Sequence, residues 1–188
     1  QPLAERLRPK TLDDYIGQKH LVGPGAVLRK MIDAGRVPSF ILWGPPGVGK
    51  TTLAQIISNK LEAPFYTLSA ISSGVKDVRD VIEKAKSNRF FNTVSPILFI
   101  DEIHRLNKVA EEILYPAMED YQIDVMIGKG ATARSIRLEL PKFTLVGATT
   151  RAGLLSAPLR DRFGVVNHLE YYTVKELETI IIRSANVL

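Results

Sequence analysis

Gly44-Pro45-Pro46-Gly47-Val48-Gly49-Lys50-Thr51 follows the apolar run Phe40-Ile41-Leu42-Trp43 and precedes a segment with apolar residues at helical spacing, Leu53, Ile56, Ile57 and Leu61. The stretch fits G-x-x-x-x-G-K-[ST], and its flanks predict a strand, a glycine turn and a helix in that order, the context in which the spacing binds phosphate. A chain led by a strand into such a turn leaves backbone N–H groups converging on one point, where a polyphosphate fits. Gly47 and Gly49 allow conformations and close approaches that a Cβ obstructs. Lys50 can reach the β- and γ-phosphates, and Thr51 can ligate Mg²⁺. The plainer alternative is a glycine turn before an ordinary helix.

Downstream, Ile97-Leu98-Phe99-Ile100 runs directly into Asp101-Glu102. Two carboxylates at the end of a buried strand are costly unless something positive sits beside them. With a phosphate loop upstream, Mg²⁺ supplies that charge: Asp101 holds the metal through its water shell and Glu102 orients the attacking water. The alternative is two acids opening a surface loop. His104 has no metal-ligand spacing to His20 or His168, so a hydrogen-bonded or core histidine is expected there. A third apolar run, Phe143-Thr144-Leu145-Val146-Gly147-Ala148, ends in Thr149-Thr150, whose hydroxyls either contact the attacking water or γ-phosphate or cap the next turn.

Between these anchors strand and helix alternate. Pro64 to Leu68 predicts a strand, Val75, Val78, Ile82 and Ala85 a helix, and Asn88 to Ser95 a polar connection. Leu21 to Ala34 predicts one amphipathic helix stopped by Gly35, and Asn107 to Asp120 a helix kinked or split at Pro116. Ile123, Val125 and Ile127, then Ile136, Leu138 and Leu140, alternate around Gly128-Lys129-Gly130, which predicts a β-hairpin projecting from an α/β chain. With Lys129, Arg134 and Arg137 on it, it could touch DNA, bind a protein or decorate the surface. Ser156 opens a short helix carrying Arg160 and Arg162; Val165 to Leu169 is a last strand, and Thr173 with Glu176 caps a final helix.

Composition sets the outer limits. The chain of 188 residues suits one substantial domain, and its net charge of +5 is weak support for a polyanionic partner. It contains no cysteine, so disulfides and thiolate metal sites are excluded. No stretch has transmembrane length and none reads as a signal peptide, so a cytoplasmic location and no membrane partner are expected.

Taken together the residues resemble the AAA+ ATPases over nearly the whole chain. From Leu3 to about Arg105, Arg6-Leu7-Arg8-Pro9, Tyr15-Ile16-Gly17-Gln18, Ile41-Leu42-Trp43-Gly44 and Ser69-Ala70-Ile71-Ser72-Ser73-Gly74-Val75-Lys76 look like RarA (MgsA), a fork-associated relative of clamp loaders. From Asp101 onward, Asp101-Glu102-Ile103-His104-Arg105-Leu106-Asn107-Lys108, Tyr115-Pro116-Ala117-Met118-Glu119-Asp120 and Gly147-Ala148-Thr149-Thr150-Arg151 look like RuvB, the Holliday-junction branch-migration motor. With the join inside the segment both share, the chain reads as a composite or reconstructed AAA+ domain.

That resemblance implies roles beyond what spacing provides. Leu7, Arg8, Tyr15 and Ile16 would pack around adenine and ribose, Thr52 would add a phosphate contact, and Tyr172 would close the base pocket from the far side. Thr149 or Thr150 matches the first sensor. Arg162, with Arg160 second, matches the arginine finger that enters a neighbouring subunit's site, which implies ring-type self-association. The hairpin from Ile123 to Leu140 resembles the element that binds RuvA. Family members carry a helical lid with a second sensor arginine, then a winged helix or a tetramerisation region, whereas this sequence reaches Leu188 about one helix into the lid. One pocket wall is therefore expected to be open, affinity weak, hydrolysis slow and DNA contact weak.

The resulting expectation is an α/β P-loop NTPase: a five-stranded parallel sheet sandwiched by helices, with an inserted β-hairpin and the first lid helix. Residues 1–170 form the nucleotide-binding core and 171–188 begin the lid. The function expected is ATP binding and hydrolysis with Mg²⁺, ADP being the product, by a core related to motors of recombination and fork maintenance. The competing readings are a nucleotide-binding scaffold with little or no turnover and a nucleic-acid-binding module.

Overall fold

The structure, a computed structural model, describes residues 1–88 and 94–188. The predicted polar connection over 88–95 lies partly outside them. Five strands make a parallel sheet in the order β2-β3-β6-β1-β7: β1 (Phe40–Trp43), β2 (Phe65–Ser69), β3 (Ile97–Asp101), β6 (Thr144–Thr149) and β7 (Val165–His168). The remaining pair, β4 (Gln122–Ile127) and β5 (Arg134–Glu139), is the antiparallel hairpin that the alternation predicted.

Period-two burial divides the sheet's side chains between two cores. Ile41, Leu98, Ile100 and Leu145 face one side, with α5 (Val75–Ser87), α6 (Lys108–Glu119) and α7 (Ala157–Asp161) packed on them through Val78, Ile82, Leu114 and Leu159. Phe40, Leu42, Phe99 and Val146 face the other, under α2 (Lys19–Val22), α3 (Val27–Asp33) and α4 (Lys50–Lys60). Both faces are covered over the central strands β1, β3 and β6, which is why these read as nearly continuous apolar runs. The remaining helices are the one-turn α1 (Leu3–Arg6) and α8 (Val174–Val187), which buries no residue completely.

Two sequence expectations need correction. The helix predicted from Leu21 to Ala34 is two helices, α2 and α3, because Gly23-Pro24-Gly25 interrupts them: Pro24 cannot donate an N–H, and Gly25 takes φ +81°. Helix α6 continues through Pro116, so of the two alternatives there the split is excluded.

The strand order decides where chemistry can happen. Because β6 lies between β3 and β1, the carboxyl ends of these three neighbours bring together the loop after Trp43, the acids at Asp101 and the threonines at 149 and 150. Open α/β sheets hold ligands outside the carboxyl ends of their strands.

Candidate nucleotide site

The loop from Gly44 to Thr51 ends in left-handed backbone at Gly47 (φ +78°) and Gly49 (φ +91°), and Gly49 is the N-cap of α4. No side chain caps that helix, so the first-turn N–H groups of Lys50, Thr51 and Thr52 are left to a ligand. The Lys50 side chain folds over the loop, Nζ donating to the carbonyls of Gly44 (2.8 Å) and Pro45 (2.7 Å). Burial pushes its pKa down, opposed by the charges of Glu102 and Asp101. Val48 has its side chain in the core, 2% exposed, and its carbonyl accepts from the Tyr15 and Tyr172 hydroxyls at 3.5 and 3.1 Å.

Across from Lys50 stand the acids. Asp101 has its pKa raised by burial and then by the neighbouring Glu102 charge, and the Glu102 N–H and Lys50 only partly offset this. Glu102 sits in left-handed backbone at φ +51°, a rare conformation for a non-glycine residue and one that clusters at functional sites. Its carboxylate is held from β6: the Thr150 hydroxyl donates to Oε2 at 3.1 Å. His104 Nδ1 lies 3.3 Å from the same oxygen and 2.7 Å from Thr149 Oγ1, which also accepts from the Arg151 N–H at 3.0 Å. The two threonines therefore divide: Thr150 holds Glu102, and Thr149, fully buried, caps the following turn and fixes His104. His104 is hydrogen-bonded, as its isolation in the sequence predicted. Among the described residues no group of three or more His, Asp or Glu side chains is gathered to hold a metal ion. Such a cage is not what magnesium requires, since it keeps several waters and takes one or two protein oxygens beside phosphate.

Beside the loop lies a cavity of about 100 Å³ whose lining includes Leu7, Tyr15, Ile16, Gly49, Thr52 and Tyr172. Most residues expected around the base are thus together. Burial raises the hydroxyl pKa of both Tyr15 and Tyr172, so both remain donors at neutral pH. One residue lies elsewhere. Arg8 is outside the lining, its Nη1 donating to Gln55 Oε1 at 3.2 Å, because the chain after Leu7 turns that side chain toward α4. Thr52 also lines the cavity, beside the helix start whose N–H groups are uncapped.

The last helix also contributes to this cavity. Helix α8 supplies Ile180, Arg183 and Ser184 to the cavity, and Arg183 Nη1 donates to the Leu7 carbonyl at 2.7 Å. These residues escaped the sequence reading, although their spacing of three and four along one helix placed them on a common face.

Arg162 is not brought to this site within the chain. Its guanidinium lies 4.0 Å from the Tyr115 ring centroid, Nη1 donates to the Pro158 carbonyl at 2.6 Å, and Nε sits 3.0 Å from Glu119 Oε1 without hydrogen-bond alignment. Arg160 turns back to the Leu155 carbonyl at 3.1 Å.

Residues 7–169 match the family described as the Holliday junction DNA helicase RuvB P-loop domain. The chain belongs to that RuvB family. It is 50% identical over 189 residues to the Holliday junction branch migration complex subunit RuvB of Fusobacterium nucleatum, covering 99% of this chain and 55% of that protein. The structure of the Thermotoga maritima RuvB Holliday junction branch migration motor superposes with a TM-score of 0.77 at 42% identity, over 97% of this chain and 55% of that one. A single-site variant of that motor gives 0.75 at 40% identity, over 96% of this chain and 54% of that one. The chain thus spans about half the length of the relatives it matches. The family match begins at Leu7 and so includes all but the first few residues of the stretch that resembles RarA.

Proposed function

We propose that this RuvB-family domain binds Mg·ATP between the Gly44–Thr51 loop and the β3 and β6 strand ends, and hydrolyses it to ADP. The observation that carries the reading is the convergence of an uncapped helix start, one ammonium and a pair of acids at the ends of adjacent strands β1, β6 and β3. The residues fit the ligand. Lys50, tied to loop carbonyls, exchanges them for phosphate oxygens, and the first-turn N–H groups of α4 donate to the remaining phosphate oxygens. The raised pKa of Asp101 marks negative charge without full compensation, which suits a divalent cation held by Asp101 and Thr51 Oγ1. Magnesium, when bound, neutralises charge on the triphosphate oxygens.

Glu102 then orients and accepts a proton from water, while Thr150 fixes the carboxylate through Oε2 and Thr149 acts one step removed, through His104. Leu7, Tyr15, Ile16 and Tyr172 enclose the base, with Arg8 on the outside of that wall. Arg162 completes the site of a neighbouring copy, supported by its lack of any role in its own chain's site. The finer reading places the core at 1–170 and the beginning of a lid at 171–188, in a cytoplasmic, ring-forming DNA motor that docks a RuvA-like partner through the hairpin at 123–140. Among the described residues no helix is long and apolar enough to cross a membrane. A RarA-like origin for the segment from Leu3 to Arg105, and hence a composite chain, is supported only by the motifs quoted above.

Phosphate release measured over increasing protein concentration, beside Glu102→Gln, tests the proposal. A per-subunit rate that rises with concentration and disappears in the variant is expected. A flat trace that the variant leaves unchanged would instead identify a scaffold without turnover.

A further inference from the structure

Between the N-terminal arm and the segment that follows β7 runs a set of contacts that the chemistry above does not use. Gln18 is 6% exposed, and its amide pairs with the backbone of Glu170 on both edges: Nε2 donates to the carbonyl at 2.8 Å and Oε1 accepts the N–H at 3.0 Å. An N–H and a C=O on one residue fix which end of the amide is which. Two residues on, His20 Nε2 donates to the His168 carbonyl at 2.7 Å. Gln18 achieves this from left-handed backbone, φ +53°, directly after Gly17 at φ +83°. A non-glycine residue holds that conformation only where its surroundings over-determine it. At Gly17 a Cβ would meet Glu176 Oε2 at 2.6 Å and the Tyr172 ring at 3.2 Å, so the arm lies directly against the base-pocket tyrosine.

The position of this zipper gives it a consequence. Tyr15 and Ile16, just before Gln18, form one wall of the 100 Å³ cavity; Tyr172, just after Glu170, and Ile180 on α8 form the facing wall. The phosphate loop has its backbone set by β1 and α4, and it meets the two walls where the Tyr15 hydroxyl reaches the Val48 and Gly49 carbonyls and the Tyr172 hydroxyl reaches the Val48 carbonyl, not through the N–H groups that face phosphate. We infer that Gln18 is a positioning residue that fixes the separation of the two base-pocket walls, and thereby sets affinity for the base without contributing to phosphate binding. This rests on the nucleotide reading above and assigns the recognition of the base to the arm.

The consequence is separable by ligand. In Gln18→Leu the shape is nearly kept and both hydrogen bonds are lost, leaving the Glu170 groups unpaired, so the walls sample wider separations and the binding-competent fraction falls. ADP affinity of the full chain is expected to weaken about tenfold, with inorganic tripolyphosphate affinity within about twofold of the parent. Gln18→Glu keeps the acceptor for the Glu170 N–H and sets a carboxylate against its carbonyl; it is expected to show the same selective loss, and it carries the test should the leucine variant fail to fold. Trp43, the only tryptophan, provides a readout independent of turnover: its ring stacks on His168 at 3.9 Å, on the residue whose carbonyl His20 holds. Its emission is expected to change in both variants and to move toward the parent value on ADP addition. ADP binding by folded variants at parental strength overturns the inference, as does an equal loss of ADP and tripolyphosphate. Failure of the parent chain to bind ADP overturns the nucleotide reading itself, and this inference with it.

Discussion

Gly44 has ordinary backbone torsions, so the requirement for glycine there comes from space alone. A Cβ would stand 2.4 Å from the Leu169 carbonyl oxygen and 3.2 Å from its carbon, about 1 Å inside the range at which ordinary contact begins. The neighbour is backbone, and it is held: the Leu169 N–H donates to the Trp43 carbonyl at 2.8 Å, and β7 pairs with β1 along its length. Alanine at 44 therefore has to push the end of β7 away from β1. Overpacking of this kind costs about 1–3 kcal/mol. For a chain of this size each kcal/mol lowers the melting temperature by about 2–4 °C, so Gly44→Ala should melt about 2–12 °C below the parent. The displaced strand end also leads into Glu170 and Tyr172, and the Gly44 carbonyl is a Lys50 acceptor, so ADP binding should weaken as well. Gly153→Ala is the control, since a Cβ there meets nothing within 4 Å and its φ is ordinary. Thermal melts with and without ADP measure both effects. A Gly44→Ala chain that melts with the parent and binds ADP equally would refute the packing argument.

Three further outcomes follow from the site. Thr150→Val removes the hydroxyl 3.1 Å from Glu102 Oε2; a hydrogen bond to a charged group is worth about 1.5–3 kcal/mol, so phosphate release should fall about ten- to a hundredfold while ADP affinity holds, and an unchanged rate would exclude Thr150 from positioning Glu102. Arg162→Ala should bind ATP as the parent does when dilute and lose the rise of rate with protein concentration; a retained rise would remove Arg162 from the neighbouring site. Asp101 has a raised folded-state pKa, so in the free chain its contribution to stability is present at acid pH and lost as pH rises through that pKa. Asp101→Asn should therefore melt above the parent at pH 7 without magnesium, the difference shrinking on acidification, whereas a lower melting temperature at pH 7 would contradict the account.

Much of the phosphate half of the site is legible in the sequence because its parts are contiguous. The run from Gly44 to Thr51 carries its own turn, cation and hydroxyl, and Asp101 and Glu102 directly end an apolar run. Burial on both faces makes the central strands β1, β3 and β6 conspicuous, which is how the parallel sheet emerges from pattern. The base half is different. Arg183 reaches Leu7 across 176 positions and Gln18 reaches Glu170 across 152, and no local period encodes such pairings. Arg8 shows the complementary difficulty: the motif places its backbone correctly, yet the side chain turns to Gln55. The broken helix before β1 was written in Gly23-Pro24-Gly25, but the apolar spacing on either side of it mimics one continuous stripe.

Lys50→Ala, assayed for ATP affinity in a sample shown to be folded by its melting transition, tests the central claim most directly. Removing the ammonium takes away the one buried cation of the loop and its charge-assisted contacts, about 1.5–3 kcal/mol, so affinity should fall about ten- to a hundredfold. Undiminished ATP binding by folded Lys50→Ala would contradict the account.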